Sequence, residues 1–242
     1  MIPVKKPDIL SYHPQMGGEV LKVEKGWCHY SHEGQKDFLD YITAYHPESH
    51  GISFEVSTFR GKTALVQVSF VSETAFRFRM FPEGTVPDTM NTVFDFPAAE
   101  IAEIEEDALF FHAKTNRLKL SFRKCPWEMT VILDGEELTR EQIKDHNVDQ
   151  KYKSIPVGFT VGDDGQIINA FETMYLYCDE SFWGFGEKFN SFNKRGQKVT
   201  VWQRDAQSTN SDISYKGMPS FLSSTGYSVL MNTFTRPPEP PR

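Results

Sequence analysis

Residues 52–81 read ISFEVSTFRGKTALVQVSFVSETAFRFRMF, and their patterning decides the fold class. Ile52, Phe54 and Val56 alternate with polar neighbours. Val66, Val68 and Phe70 share one face of a second run. Phe76, Phe78 and Met80 alternate with Arg77 and Arg79 in a third. Side chains of an extended chain point to opposite faces in turn, so each run has an apolar side and a polar side. The runs recur about every ten residues with turn signals between them, and Pro82-Glu83-Gly84 closes the third. That rhythm predicts an all-β chain, a sandwich or a barrel of antiparallel strands.

Working outward, Leu109–His112 and Leu118–Phe122 read as strands joined by a Lys114-Thr115-Asn116 turn. Glu128–Leu133 ends in Asp134-Gly135, a hairpin signal. Pro156–Val161 and Gln166–Asn169 flank Asp163-Asp164-Gly165 as another hairpin. Lys36–Ala44 carries Phe38, Leu39, Tyr41 and Ile42 with no clean period, so helix and strand both stay open. So do they for the acidic run Ala98–Ala108, read as a solvated charged face. Thr139-Arg140-Glu141-Gln142 fits a capping box and predicts a short helix to about His146. At the start, Met1–Pro14 reads as an irregular lead-in, and Glu19–Glu24 with Trp27–Tyr30 as a hairpin. At the other end TRPPEPPR, residues 235–242, holds four prolines and reads as an extended tail or linker.

Composition bounds the function. The 242 residues carry a net charge of −7, and no basic stripe interrupts that balance, which excludes nucleic acid as the expected partner. No run of 18 apolar residues occurs, so no membrane-spanning helix is predicted. MIPVKKPDIL lacks the apolar core of a secretory signal. Cys28, Cys125 and Cys178 are an odd set without a CxxC, which fits reduced thiols and a cytoplasmic location.

The most irregular part is Phe182–Phe234, broken by Gly184, Gly186, Gly196, Gly217 and Gly226. Lys198–Trp202, Ser220–Ser223 and Tyr227–Asn232 read as short strands. Gln203–Tyr215 is a long polar loop, of a kind often functional in compact domains. Five short motifs follow in order: Gly184-Phe185-Gly186-Glu187-Lys188-Phe189, Asn193-Lys194-Arg195-Gly196-Gln197, Trp202-Gln203-Arg204-Asp205, Tyr215-Lys216-Gly217-Met218-Pro219 and Gly226-Tyr227-Ser228-Val229. Together they resemble glycoside hydrolase family 31, the α-glucosidase and α-xylosidase family. The resemblance is strongest from Tyr175 to Phe234.

It implies a large antiparallel β-sandwich of the galactose mutarotase type with minor helix, spanning residues 1–234. It also implies a catalytic (β/α)8 barrel following this region. Such a barrel needs roughly 250 residues by itself, so this chain cannot hold both. The expectation is a non-catalytic domain of an α-glycosidase, acting on carbohydrate together with the barrel. Self-association stays open, and no cofactor or metal is expected.

Glycoside hydrolysis needs two flanking carboxyl groups, ~5–5.5 Å apart in retaining enzymes. Nothing here places such a pair at the end of a barrel strand, so no catalytic residue is assigned. Asp205 is the candidate substrate-binding residue. The resemblance implies that its loop reaches over the barrel mouth, where an ionised carboxylate accepts hydrogen bonds from sugar hydroxyls. Its competing role is to cap its own loop. Trp202 reads as core, and Glu187 as a partner of Lys188, Lys194 or Arg195 or a brace for a turn. Gly184-x-Gly186 lacks a third glycine and a following helix, so it is no dinucleotide fingerprint. Cys28, His29, His32, His46 and His50 lack the spacing of a zinc site. His112 matters only for two minor alternatives, of which a self-contained aldose epimerase would use it with a Glu; the other is a free-standing carbohydrate-binding module.

Overall fold

The computed structural model describes residues 1–4, 35–87, 94–98, 100–141, 155–201, 203 and 214–232. The chain forms two compact units. One gathers Met1–Asp88 and Phe96–Tyr175, the other Thr89–Asp95 and Leu176–Glu239. Among the described residues there is no helix.

The first unit holds β1 (Ile2–Pro3), β2 (Gln35–Glu48), β3 (Gly51–Thr58), β4 (Thr63–Ser72), β5 (Ala75–Phe81), β6 (Glu103–Glu106), β7 (Phe110–Lys114), β8 (Leu118–Lys124), β9 (Trp127–Leu133), β10 (Glu136–Arg140), β11 (Gly158–Val161) and β12 (Ile167–Phe171). One sheet runs β12-β11-β2-β3-β4-β5, with β1 also on β2. The other runs β10-β9-β8-β7-β6, and every pair is antiparallel. The apolar faces read from the alternation meet as one core. Leu39, Ile42, Phe54, Val66 and Phe70 come from the first sheet, and Phe111, Leu120, Phe122 and Trp127 from the second. The Phe54 ring lies 5.1 Å from Phe122 and 5.9 Å, edge-on, from Trp127. Burying side chains of this size stabilises by about 1.5–3 kcal/mol each. This is the sandwich the sequence predicts.

β2 resolves the open reading of Lys36–Ala44 as strand. Its period is hidden by two bulges, at Leu39/Tyr41 and Ile42/Ala44. An extra residue at each bulge breaks the two-residue alternation, so Asp37, Phe38, Leu39 and Asp40 are buried in succession. The Asp37 carboxylate takes the Arg60 amide at 3.0 Å and the Thr58 hydroxyl at 2.8 Å. Its burial is thereby satisfied.

Two expectations change, and one open reading is resolved. Ile2–Pro3 is not irregular: it pairs with Ala44 and Tyr45. The acidic run supplies strand β6 at a sheet edge. Thr139 and Arg140 end strand β10 instead of capping a helix, while residues 142–146 lie outside the described residues, as does the expected 19–30 hairpin. Asp134 (φ 51°) and Gly135 (φ 89°) make the anticipated tight turn between β9 and β10.

The second unit is one three-stranded antiparallel sheet, β13 (Phe182–Gly186), β14 (Gly217–Ser223) and β15 (Ser228–Leu230), in the order β13-β14-β15. Lys198–Val201 is not a strand as predicted. It runs beside the sheet unpaired by any ladder, with the Thr200 carbonyl accepting from Lys188 Nζ at 2.8 Å.

Candidate functional site

The glycine-rich end of β13 shapes the second unit. Gly184, Phe185 and Gly186 all have positive φ, at 128°, 64° and 79°. A side-chain Cβ at Gly184 would lie 2.6 Å from the Ser220 carbonyl oxygen, and one at Gly186 would lie 1.9 Å from that of Lys216. Glycine is required at both points by backbone approach. The register slips between them. This bulge turns Phe185 away from the side that Trp183 occupies and stacks it on Phe221, centroids 5.5 Å apart. Phe182 meets the same ring edge-on at 5.7 Å.

The Asn193–Gln197 motif then folds back on β13. Asn193 Oδ1 accepts from the Phe182 amide (3.2 Å) and the Arg195 amide (3.0 Å), and the Lys194 amide donates to the Phe182 carbonyl (2.8 Å). Arg195 donates to the carbonyls of Tyr177 (2.8 Å) and Glu180 (2.5 Å). The buried Glu180 carboxylate accepts from the Tyr177 amide (3.1 Å) and the Ser223 hydroxyl. These polar residues are committed to holding the turn. Glu187 pairs with the exposed Lys216 at 3.3 Å, and not with the three cations expected of it.

Between turn and sheet lies an open cleft of about 270 Å³, walled by Phe182, Phe185, Phe221, Arg195, Gln197 and Val199. Sequence reading had no signal for it, because the bulge that aims Phe185 inward is a backbone event. No carboxyl group lines it, so it lacks the pair that glycoside cleavage requires.

Asp205, the sequence candidate, lies outside the described residues together with Trp202 and Arg204. The ends of its segment are described: Gln203 and Ser214 pair as a single parallel bridge, and Ser214 is buried.

Elsewhere, two carboxyls have the raised pKa that marks candidate acids. Burial pushes Glu141 up to about 7, against the pull of its backbone donors. Its carboxyl takes the Val157 amide (3.0 Å), the Trp127 indole N–H (3.2 Å) and the Met129 amide. Glu172 reaches solvent in part, yet its carboxyl sits against Glu141 and is raised too, by desolvation first and the Glu141 charge second. Glu141 is 1% exposed, with no face left for a sugar or a water. The sequence assigned it to a helix cap, and nothing in its neighbours signalled burial. His112 is engaged at both ring nitrogens, by Ser121 Oγ (2.9 Å) and Asp107 Oδ2 (3.1 Å), and so has no Glu partner for epimerase chemistry. His50 bonds the Glu100 carbonyl through Nδ1 at 3.0 Å. Among the described residues no cluster of His, Cys, Asp or Glu is arranged to hold a metal, and no helix is long and apolar enough to cross a membrane. Cys125 and Cys178 are free thiols.

Comparison with known proteins agrees with this architecture. Isomaltosyltransferase of Sporosarcina globispora is 25% identical over 169 residues, 69% of this chain and 14% of that protein. The α-xylosidase XylQ of Lactiplantibacillus pentosus is 29% identical over 113 residues, 47% of this chain and 13% of its own length. The chain thus spans about a seventh of the curated relatives it matches. Among solved structures, the cycloalternan-forming enzyme of Listeria monocytogenes, in complex with a pentasaccharide substrate, superposes with a TM-score of 0.66 at 21% identity, over 80% of this chain and 17% of that one. Residues 65–236 match the model of the glycosyl hydrolase 31 N-terminal galactose mutarotase-like domain, and the chain belongs to that family.

Proposed function

We propose that this chain is the non-catalytic β-sandwich region of an α-glycosidase of the α-glucosidase or α-xylosidase type. In that reading residues 1–234 steady the catalytic barrel, residues 235–242 run on toward it, and the 203–214 loop brings Asp205 to the sugar-binding pocket. One observation carries the reading. The second unit's sheet leaves one side apolar and largely exposed: Trp183 stands opposite Leu222, with Leu230 on the same side by alternation. Phe192, whose ring lies 6.5 Å from Trp183, is 80% exposed. A contiguous apolar surface of this sort marks an interaction site, and in this family the catalytic domain is the natural cover. The fixed ends of the Asp205 loop support its role as a presented element.

Polarimetry of the chain alone tests the non-catalytic half. Fresh α-glucose, maltose and an α-xyloside should each change rotation no faster than in buffer, whereas accelerated mutarotation or cleavage would refute the reading. The Asp205 half is tested in a chain that carries the barrel. There Asp205→Ala should raise KM or lower kcat on disaccharides, and unchanged kinetics would remove the role.

A further inference from the structure

The side of β5 opposite the core carries two guanidinium groups that make no salt bridge among the described residues; the Glu48 carboxylate, which accepts from the Ser53 hydroxyl on β3, acts on Arg79 from a distance. Phe76, Phe78 and Met80 pack against the core, so Arg77 and Arg79 point to the outer face of the first sheet. The register sets Arg77 beside Ser69 and Arg79 beside Gln67 on β4. The next positions across are Gly51 and Ser53 on β3. Gly51 has no side chain, and a Cβ there would meet the Val68 carbonyl at 1.9 Å, so the row beyond Ser69 ends on bare backbone.

Three polar atoms in this patch are shut off from solvent with no hydrogen-bond partner among the described residues: Ser69 Oγ, Arg77 Nε and Arg79 Nε. Neither arginine makes an ion pair among the described residues. Arg123 also has an unpaired Nε, but its guanidinium faces Glu128 at 3.8 Å. Burial and the neighbouring Arg77 hold the Arg79 pKa below its ordinary value, with only Glu48 acting the other way. Two half-buried like charges side by side repel, and each orphaned donor adds a desolvation cost. Native structures leave few such groups unexplained. The Phe81 ring, 6.0 Å from the Arg79 guanidinium, steadies one of the two forks. Paired guanidinium forks match the spacing of oxygens on a carboxylate or phosphate.

We propose that this face binds a small oxyanion-bearing ligand, a sugar carboxylate or a phosphate, seated between Arg77, Arg79 and Ser69. The site lies on the sandwich and stands apart from the glycosidase reading.

Isothermal titration of the 242-residue chain with inorganic phosphate, glucuronate and glucose at fixed low ionic strength tests it. At least one oxyanion should bind and neutral glucose should not. Phosphate alone binding identifies a phosphate ligand, and glucuronate alone identifies an acidic sugar. Arg77→Gln with Arg79→Gln should weaken binding by roughly tenfold or more, while Arg117→Gln, which lies at the β7–β8 turn of the other sheet and is paired with Asp134, should leave it unchanged. Arg77→Lys with Arg79→Lys keeps the charge and loses the fork, so it should bind with intermediate affinity and guards against a misfolded Gln variant. No heat with either anion, equal binding of glucose, or an unchanged Kd in the Lys or Gln variant would overturn the proposal.

Discussion

Phe122 and Leu222 are both apolar residues inside antiparallel strands, yet Phe122 is fully buried and Leu222 is 57% exposed. The difference lies in what faces each strand. In the first unit a seven-stranded and a five-stranded sheet close on each other, so each apolar face finds a partner. In the second unit a single three-stranded sheet has rings packed on one side, and on the other only the largely exposed Phe192 ring stands against Trp183 among the described residues. Three strands with one covered face are near the minimum for independent stability. The first unit therefore carries most of the buried core of the chain, and the second carries exposed apolar surface.

The largest test of that division is Trp127→Ala. It empties the centre of the sandwich and removes a donor to Glu141, so it should cost about 3–5 kcal/mol in denaturant unfolding. A loss below about 1 kcal/mol would mean that the sandwich core is not where stability resides.

Gly186→Val comes next, because a β-branched side chain at φ 79° would collide with the Lys216 carbonyl. Hydrogen exchange should quicken at Trp183 and Phe221 while Phe54 and Val66 keep their protection. Equal loss at all four amides would join the two units into one cooperative structure.

The third test is pH. Glu141 holds a proton in the folded chain that an unfolded carboxyl releases, so stability falls as pH rises from about 4.5 to about 7. The slope is at most about 1.4 kcal/mol per pH unit for one group. Thermal melts of wild type and Glu141→Gln across that window should differ in slope, and parallel curves would show that Glu141 does not titrate there. Smallest of all, Leu222→Ser should change the stability of this chain by no more than about 0.5 kcal/mol. A larger loss would mean that its side of the sheet is already covered.

Most of the sandwich was legible because Ile52–Leu133 alternates with few interruptions, and because Asp134-Gly135 can make only a few turns. β2 was not, since its bulges bury Asp37 and Asp40 inside an apolar run. Lys198–Val201 misled for the opposite reason: β-type residues there have no strand to pair with. The site was less legible than the fold. Gly184-Phe185-Gly186 was noticed as a motif, but the reversal of Phe185 follows from backbone angles that composition does not encode. Glu141 shows the limit most plainly, since a glutamate in a polar run carries no mark of the three donors that gather around it once β9 and the residues before β11 come together. Arg77 and Arg79 were placed on the outer face by alternation alone; that they lack carboxylate partners required the packed structure.

The bond from the Val157 amide to the Glu141 carboxyl has an engineering consequence. It holds residues 141 and 157 together whatever the chain does between them. Glu141 is therefore a cross-link made by one side chain: replacing it with alanine would release Val157 and Met129 together, whereas glutamine keeps an acceptor for one of them.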